Sequence, residues 1–190
     1  TYARNFGQLM MEKLACADMI VFNRCTPDMP MAGWKRSIRA VNRMCEIVFE
    51  DIQGIELEVE DILPYSLDTD HLELECDDYG IWYMDVTEYP EKYDGKTVRF
   101  KGIVARDRAL GKNGLVIGRH VMTCCADDIA YNALVCYFPT ATNFKTRDWT
   151  VVTAKIKIEK HKLYGRPGPV LYAEKTEFAT KPTQEVATFY

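Results

Sequence analysis

Two adjacent cysteines, Cys124 and Cys125, follow an apolar run and precede Asp127 and Asp128 in the stretch RHVMTCCADD. Thiolates are zinc ligands, and a zinc site needs about four nitrogen or sulfur donors. Neighbouring residues of a strand point to opposite faces, so both thiols reach one ion only where the strand ends, and Ala-Asp-Asp favours a turn there. Further ligands must come from other parts of the chain. The candidates are Cys136 and His120, then Cys76, His71 and His161.

The same pair has two other interpretations. Free cysteines are among the most buried residue types, so two small core residues are the simplest interpretation of Cys124 and Cys125. A redox pair is the weakest of the three, because a disulfide between adjacent cysteines is strained. Asp127 and Asp128 are predicted to cap the following segment or to form a solvated turn rather than to bind metal.

A second candidate site is a basic patch toward the C-terminal end. Its members are Lys155, Lys157, Lys160, Lys162 and Arg166, beside His161. Further charge comes from Arg99, Lys101, Arg106 and Arg108, and Phe100, Tyr137 and Tyr164 are aromatic residues that could stack on bases. Such a set predicts an anion or single-stranded nucleic-acid interface. A solvated strand face is the simpler explanation, and an acidic segment of the same chain is a possible internal partner.

Charge and cysteine content restrict the class of protein. The 190 residues carry a net charge of −4, divided into −9 over residues 1–78 and +5 over residues 79–190. Seven irregularly spaced cysteines without a CxxC motif indicate reduced thiols and a cytoplasmic protein. No apolar run reaches 18 residues, so the sequence predicts no membrane partner.

The predicted secondary structure that positions these residues changes along the chain. Residues 5–18 and 31–44 have helical periodicity, while 19–23 and 45–51 are strand-like, an order typical of α/β folds. Residues 56–78 hold ten acidic residues and form a predicted acidic connector. The predicted domains are an α/β segment at 1–55, this connector, and a β domain at 79–190.

The second region is predicted to be an all-β barrel of the OB type. Period-two alternation marks strands at 97–107 and 148–160, and further strands are expected near IWYMDVTEY, LVIGRHVMTCC, ALVCYF and PVLYAEKTEFA. Gly102 is predicted to be a bulge that lets a long strand turn a barrel corner. The fold class is therefore α+β, an N-terminal α/β fragment followed by an OB-type β-barrel.

The stretch QLMMEKLACADMIVFNRC resembles the segment of CobW-type GTPases that leads into the Asn-Lys-x-Asp guanine motif. Asn23, Arg24 and Thr26 occupy its positions here, with Arg24 for Lys and Thr26 for Asp. The chain also lacks G-x-x-x-x-G-K-[ST], so it is expected to bind no nucleotide and to catalyse no GTP hydrolysis by itself. This resemblance implies that Thr1 lies within a longer GTPase-like parent or that the GTPase half has decayed.

Residues 79–190 resemble the C-terminal domain of YcgQ-type uncharacterised bacterial proteins through YDGKTVRFKGIV, RHVMTCCADD, WTVVTAKI and PVLYAEKTE. In those relatives the domain follows membrane helices. The resemblance implies no known reaction. Together with the CobW-like segment, it implies a non-catalytic binding or regulatory module in metal homeostasis, with zinc as the expected metal.

Alternative functions are single-stranded nucleic-acid binding through the OB-type barrel and a purely structural or protein-interaction role. The expected partners are a metal ion or a protein, and nucleic acid ranks after them. The short strands of residues 1–55 would expose apolar edges, which predicts docking on the barrel or a homodimer.

Overall fold

The structure is a computed structural model and describes residues 9–10, 12–42, 44–59, 63–123 and 126–189. Two compact units are present. The first comprises the described parts of 1–63 and 122–129 with residue 189, and the second comprises Pro64–Val121 and Ala130–Thr188. The chain is mixed α+β, with a large sheet and few helices, which confirms the predicted class at this level. The predicted boundaries at 55 and 78 stay predictions.

The first unit contains a short βαβ arrangement. Its described N-terminal residues 9–10 and 12–15 are helical, and β1 (Met19–Phe22), α1 (Met31–Val41) and β2 (Glu46–Phe49) follow. Strands β1 and β2 are parallel, and α1 supplies the crossover connection that a parallel pair needs. The Phe22 ring stacks on the rings of Trp34 and Phe49, at 5.4 and 4.9 Å between centroids. The predicted helix–strand–helix–strand order is therefore confirmed.

The second unit is dominated by a seven-stranded sheet with the order β3-β4-β7-β8-β6-β5-β9. The strands are β3 (His71–Glu73), β4 (Thr97–Ala105), β5 (Gly114–Val121), β6 (Ala130–Tyr137), β7 (Trp149–Lys160), β8 (Pro167–Phe178) and β9 (Val186–Ala187). An additional antiparallel pairing joins β4 to β5, so the pairings of β4, β7, β8, β6 and β5 form a closed circuit. Within that circuit β6 and β8 are parallel.

Side chains alternate along these strands as the period-two pattern predicts. On β7, Val152, Ala154 and Ile156 are fully buried, whereas Lys155 and Lys157 are exposed. Buried apolar residues of β4, β5, β6 and β8 complete the core of the sheet, among them Val98, Leu115, Ile117, Leu134 and Leu171. Because one face of each strand is apolar, burying that face fixes the register of the sheet.

Two local predictions are wrong. The segment IWYMDVTEY is not a strand but most of helix α2 (Asp78–Glu88), which is buried on nearly all sides and therefore shows no amphipathic period. Gly102 carries no bulge, since the register shift of the sheet lies at Thr153/Ala154, between β7 and β8. No helix within the described ranges is long and apolar enough to span a membrane.

Two buried polar groups of the second unit connect loops to the sheet. Arg119 on β5 is fully buried, and its guanidinium donates to the backbone carbonyls of Cys76 and Gln184. Asp85 on α2 accepts hydrogen bonds from the Tyr93 hydroxyl and the Lys92 ammonium. Burial is the main reason that the pKa of Tyr93 lies far above its usual value. Sequence patterns did not indicate either cluster.

Candidate functional site

A solvent-open cavity of about 580 Å³ lies where the ends of β6 and β7 meet β8. Parallel pairing of β6 with β8 places Tyr137 opposite Tyr172, and their rings lie 6.0 Å apart between centroids. Both rings pack on a small apolar cluster formed by Leu110, Val135 and Val170. The cavity is lined by Asn113, Tyr137, Phe138, Pro139, Glu159, His161, Tyr172 and Ala173.

His161 follows the last residue of β7 and is 8% exposed. The backbone N–H of Leu163 donates to His161 Nδ1 at 3.2 Å, so that nitrogen carries no proton. In a neutral imidazole the proton then resides on Nε2, which lies 3.0 Å from the Tyr137 hydroxyl and donates to it. The hydroxyl proton of Tyr137 therefore remains available for another acceptor.

Glu159 is the carboxylate of the cavity. Its Oε1 accepts a hydrogen bond of 2.7 Å from the Tyr172 hydroxyl. That hydrogen bond, with burial as the second cause, raises the pKa of Tyr172 to about 12. Within the part of the chain that the structure describes, no donor contacts Glu159 Oε2. The Lys157 ammonium lies 4.9 Å from the centre of the Tyr172 ring.

The loop after β7 is held in a defined conformation beside the cavity. The Tyr164 hydroxyl donates to the Pro169 carbonyl at 2.9 Å and accepts from the Val135 N–H at 2.8 Å. Lys162 donates through Nζ to the carbonyl of Ala109, which joins this loop to the loop between β4 and β5. Asn113 and His161, one from each of these loops, line the cavity, so both loops border it.

Residues 106–113 and 155–166 form what we term the basic rim. Together they hold eight Lys and Arg against two Asp and Glu, a net charge of +6. The predicted patch of Lys155, Lys157, Lys160, Lys162 and Arg166 lies within this rim, and all five residues are exposed. Of these five residues, Lys157 lies against the ring of Tyr172, a residue that lines the cavity, and a ligand-binding role for the patch stays a prediction. Of the aromatic residues predicted to stack on bases, Tyr137 lines the cavity. Phe100 is instead buried against the rings of Tyr79 and Trp82.

A comparison with family models decides the classification of the chain. The model of the DUF1980 C-terminal domain matches residues 52–187, a span that includes the acidic segment and every strand of the large sheet. The chain belongs to the DUF1980 C-terminal domain family. This confirms the predicted likeness to YcgQ-type proteins, while the CobW-type likeness of residues 1–55 stays a prediction.

Relatives of the DUF1980 C-terminal domain agree with this classification. Over 112 residues the chain is 26% identical to the UPF0703 protein YcgQ of Bacillus subtilis (strain 168). The alignment covers 58% of this chain and 39% of that protein, so the chain spans well under half of its relative. Among solved structures, "OBody NL8 bound to hen egg-white lysozyme" is similar, with 13% identity and a TM-score of 0.31. That likeness covers 47% of this chain and 100% of the OBody chain, and so low a TM-score supports no conclusion.

The predicted metal ligands of the DUF1980 C-terminal domain are only partly described. Cys124 and Cys125 lie outside the described residues. Cys136 and His120, their first candidate partners, lie near opposite ends of the β5–β6 ladder. Cys136 is fully buried, and burial raises the pKa of its thiol to about 12. His120 is exposed and lies against the Tyr131 ring.

The remaining candidates do not converge either. Among the residues described in the structure, no group of three or more His, Cys, Asp and Glu side chains could hold a metal ion. His71 is exposed on β3, His161 lines the cavity, and the carbonyl of Cys76 accepts from Arg119. Asp128 accepts from the Thr123 N–H at 2.8 Å, as expected of a turn residue. The zinc site stays a prediction.

Zinc analysis tests that prediction. Protein purified without chelator is expected to carry about one zinc ion per chain, because paired thiolates are strong zinc ligands. Cys124→Ser combined with Cys125→Ser is expected to abolish it, whereas Cys16→Ser, a change at an exposed thiol, leaves it in place. Elemental analysis of the three proteins gives the measurement. Absence of stoichiometric zinc from the parent protein would remove the site.

The altered guanine motif lies in the loop after β1. Asn23, Arg24 and Thr26 are all exposed, and Arg24 has a left-handed backbone with φ of 57°. A side-chain hydrogen bond with Thr26 is the main cause that lowers the pKa of Asp28. The expectation that this motif binds no nucleotide stays a prediction, as does the cytoplasmic location.

Proposed function

We propose that the second unit is an OB-type barrel that binds single-stranded nucleic acid and catalyses no reaction. Strands β4 to β8 support the barrel, because they pair in the closed order β4-β5-β6-β8-β7. Five-stranded Greek-key barrels of this type bind ligands on the second and third strands and on the loops between strands 1 and 2 and strands 4 and 5. Here those loops are 106–113 and 161–166, which border the cavity.

One observation carries the proposal, namely that the basic rim and the aromatic cavity adjoin each other. The lysines and arginines of the rim can neutralise phosphates along a strand. Aromatic side chains can contact unstacked bases, which every single strand presents. Tyr137 and Tyr172 supply such rings on one side of the cavity. A solvated strand face would explain alternating lysines alone, but it does not explain a cavity lined by tyrosine rings beside Lys157.

A titration tests this proposal. A labelled single-stranded oligonucleotide is expected to bind the chain at low salt, with an affinity that falls as salt rises. Substituting Lys157, Lys160 and Lys162 with alanine is expected to weaken binding at least about 10-fold and to reduce the slope of log K against log salt by about 2, since each phosphate contact on a single strand contributes about 0.7. Fluorescence anisotropy at several salt concentrations gives both quantities.

The matched control replaces three lysines outside the rim, Lys145, Lys175 and Lys181, and so removes the same charge. This control is expected to lose little affinity. Equal loss in the two triple variants would mean that net charge rather than the basic rim attracts the oligonucleotide. Absence of binding by the parent chain at low salt would remove the proposal.

The predicted role in metal homeostasis depends on residues other than the basic rim and the cavity. It depends on the CobW-like segment at residues 1–55 and on the twin cysteines, and the zinc measurement described above tests it. The twin cysteines come between β5 and β6 in the sequence, whereas the basic rim is made of residues 106–113 and 155–166, so different substitutions test zinc binding and nucleic-acid binding. A protein partner or a second copy for the short β1–β2 sheet likewise stays a proposal.

A further inference from the structure

The cavity contains a carboxylate within a strongly basic rim. A pocket for phosphate alone would not place Glu159 on its wall, because like charges repel. Glu159 Oε1 is occupied by the Tyr172 hydroxyl, while Oε2 contacts no donor in the described ranges. A carboxylate oxygen in this position can accept a hydrogen bond from an N–H group of a ligand.

A hydrogen-bond donor is present on the same wall. His161 donates to Tyr137, so the Tyr137 hydroxyl proton is free to point elsewhere. Asn113 also lines the cavity; its side-chain amide makes no hydrogen bond to a described residue and can donate or accept. The lining residues of the cavity therefore include an anionic acceptor, Glu159, a neutral donor, Tyr137, and aromatic rings. This combination suits the polar edge of a heteroaromatic ring.

A metal ion fits these groups poorly. Glu159 and His161 are the metal-ligating side chains of the cavity wall, and neither nitrogen of the His161 ring offers a free lone pair. Nδ1 accepts from Leu163, and Nε2 carries the proton that Tyr137 accepts. A zinc site requires about four ligands, so this wall supplies too few.

We propose that the cavity receives one base of a bound single strand and selects bases that carry an exocyclic amino group. The amino group donates to Glu159 Oε2, and the Tyr137 hydroxyl donates to a ring nitrogen of the same base. Cytosine and adenine present an amino group beside an unprotonated ring nitrogen on their Watson–Crick edge. Guanine presents its amino group beside a ring N–H on that edge, and thymine carries no amino group. The backbone on either side contacts the basic rim. This inference rests on the proposed function, since it names the base that the same site reads.

The test compares oligonucleotides of equal length composed of dC, dA or dT, at pH 8 and fixed salt, with the whole chain. The parent chain is expected to bind the dC and dA strands about 10-fold more tightly than the dT strand, as one specific base contact provides.

Glu159→Gln is expected to remove most of this preference and to leave dT binding within about 2-fold. Gln keeps the shape and can still accept from Tyr172. Glu174→Gln, at an exposed residue of β8, is the matched control and should retain the preference.

Each result decides a different point. If the dC, dA and dT strands bind equally to the parent chain, base selection is wrong, while the proposed nucleic-acid function stands. If Glu159→Gln weakens all three strands by the same factor, Glu159 only supports the cavity and the inference is overturned. If no strand binds at low salt, the proposed function itself fails.

Discussion

Replacing Gly118 with alanine is expected to lower the free energy of unfolding by about 3 kcal/mol or more. Gly118 lies in β5 opposite Ala133 of β6. A Cβ atom at Gly118 would overlap the backbone carbonyl of Asn132 and lie 2.6 Å from the Ala133 Cβ. These are backbone and short side-chain atoms of a paired strand, so they cannot move aside without breaking the β5–β6 ladder.

Urea denaturation followed by circular dichroism measures this loss. Lys175→Ala, at an exposed position of β8, is the control and is expected to stay within about 0.5 kcal/mol of the parent. Because β6 ends at Tyr137, Gly118→Ala should also reduce oligonucleotide binding. A Gly118→Ala protein with parental stability would contradict the close pairing of β5 with β6.

Replacing Trp82 with alanine is expected to cost about 3–5 kcal/mol, the range for removing a large buried aromatic side chain. Trp82 lies on α2, is fully buried, and contacts the rings of Tyr79 and Phe100 at 5.6 and 5.2 Å between centroids. These contacts fix α2 against β4. The change would leave a cavity that the surrounding β-sheet cannot collapse to fill.

Trp82→Phe is the informative comparison. The indole Nε1 of Trp82 has no acceptor among the described residues, so its N–H is buried without a hydrogen bond. Phenylalanine keeps an aromatic ring and removes that unsatisfied donor, which offsets part of the lost contact area. Trp82→Phe is therefore expected to cost less than half as much as Trp82→Ala. Equal losses in chemical denaturation would show that the indole makes a hydrogen bond after all.

The strands were predictable from sequence because one face of each is buried. Alternation on β7, with Val152 and Ile156 inside and Lys155 outside, is a direct consequence of side-chain direction in a strand. Helix α2 was not predictable in the same way. Its aromatic and β-branched residues favour a strand, and a helix buried on nearly all sides has no polar face to reveal its period.

The cavity illustrates a second limit. The basic residues near the cavity follow one another closely in the sequence, and that spacing predicts a basic patch. Tyr137 and Tyr172 lie far apart along the chain, and they meet through the parallel pairing of β6 with β8. A single sequence does not indicate which strands pair. The sequence did not indicate Glu159 as a site residue either. A single acidic residue among lysines resembles an ordinary surface charge until the fold places it in the cavity.

Photochemical cross-linking tests the central claim, that the cavity receives the nucleic-acid ligand, most directly. A single-stranded oligonucleotide with a photoreactive base is irradiated with the chain, and the linked residues are identified by mass spectrometry. We predict cross-links at Tyr137, Phe138, His161 or Tyr172, which disappear at high salt and in the Lys157, Lys160 and Lys162 triple variant. Cross-links confined to residues outside the cavity and its basic rim, or none at low salt, would contradict the account.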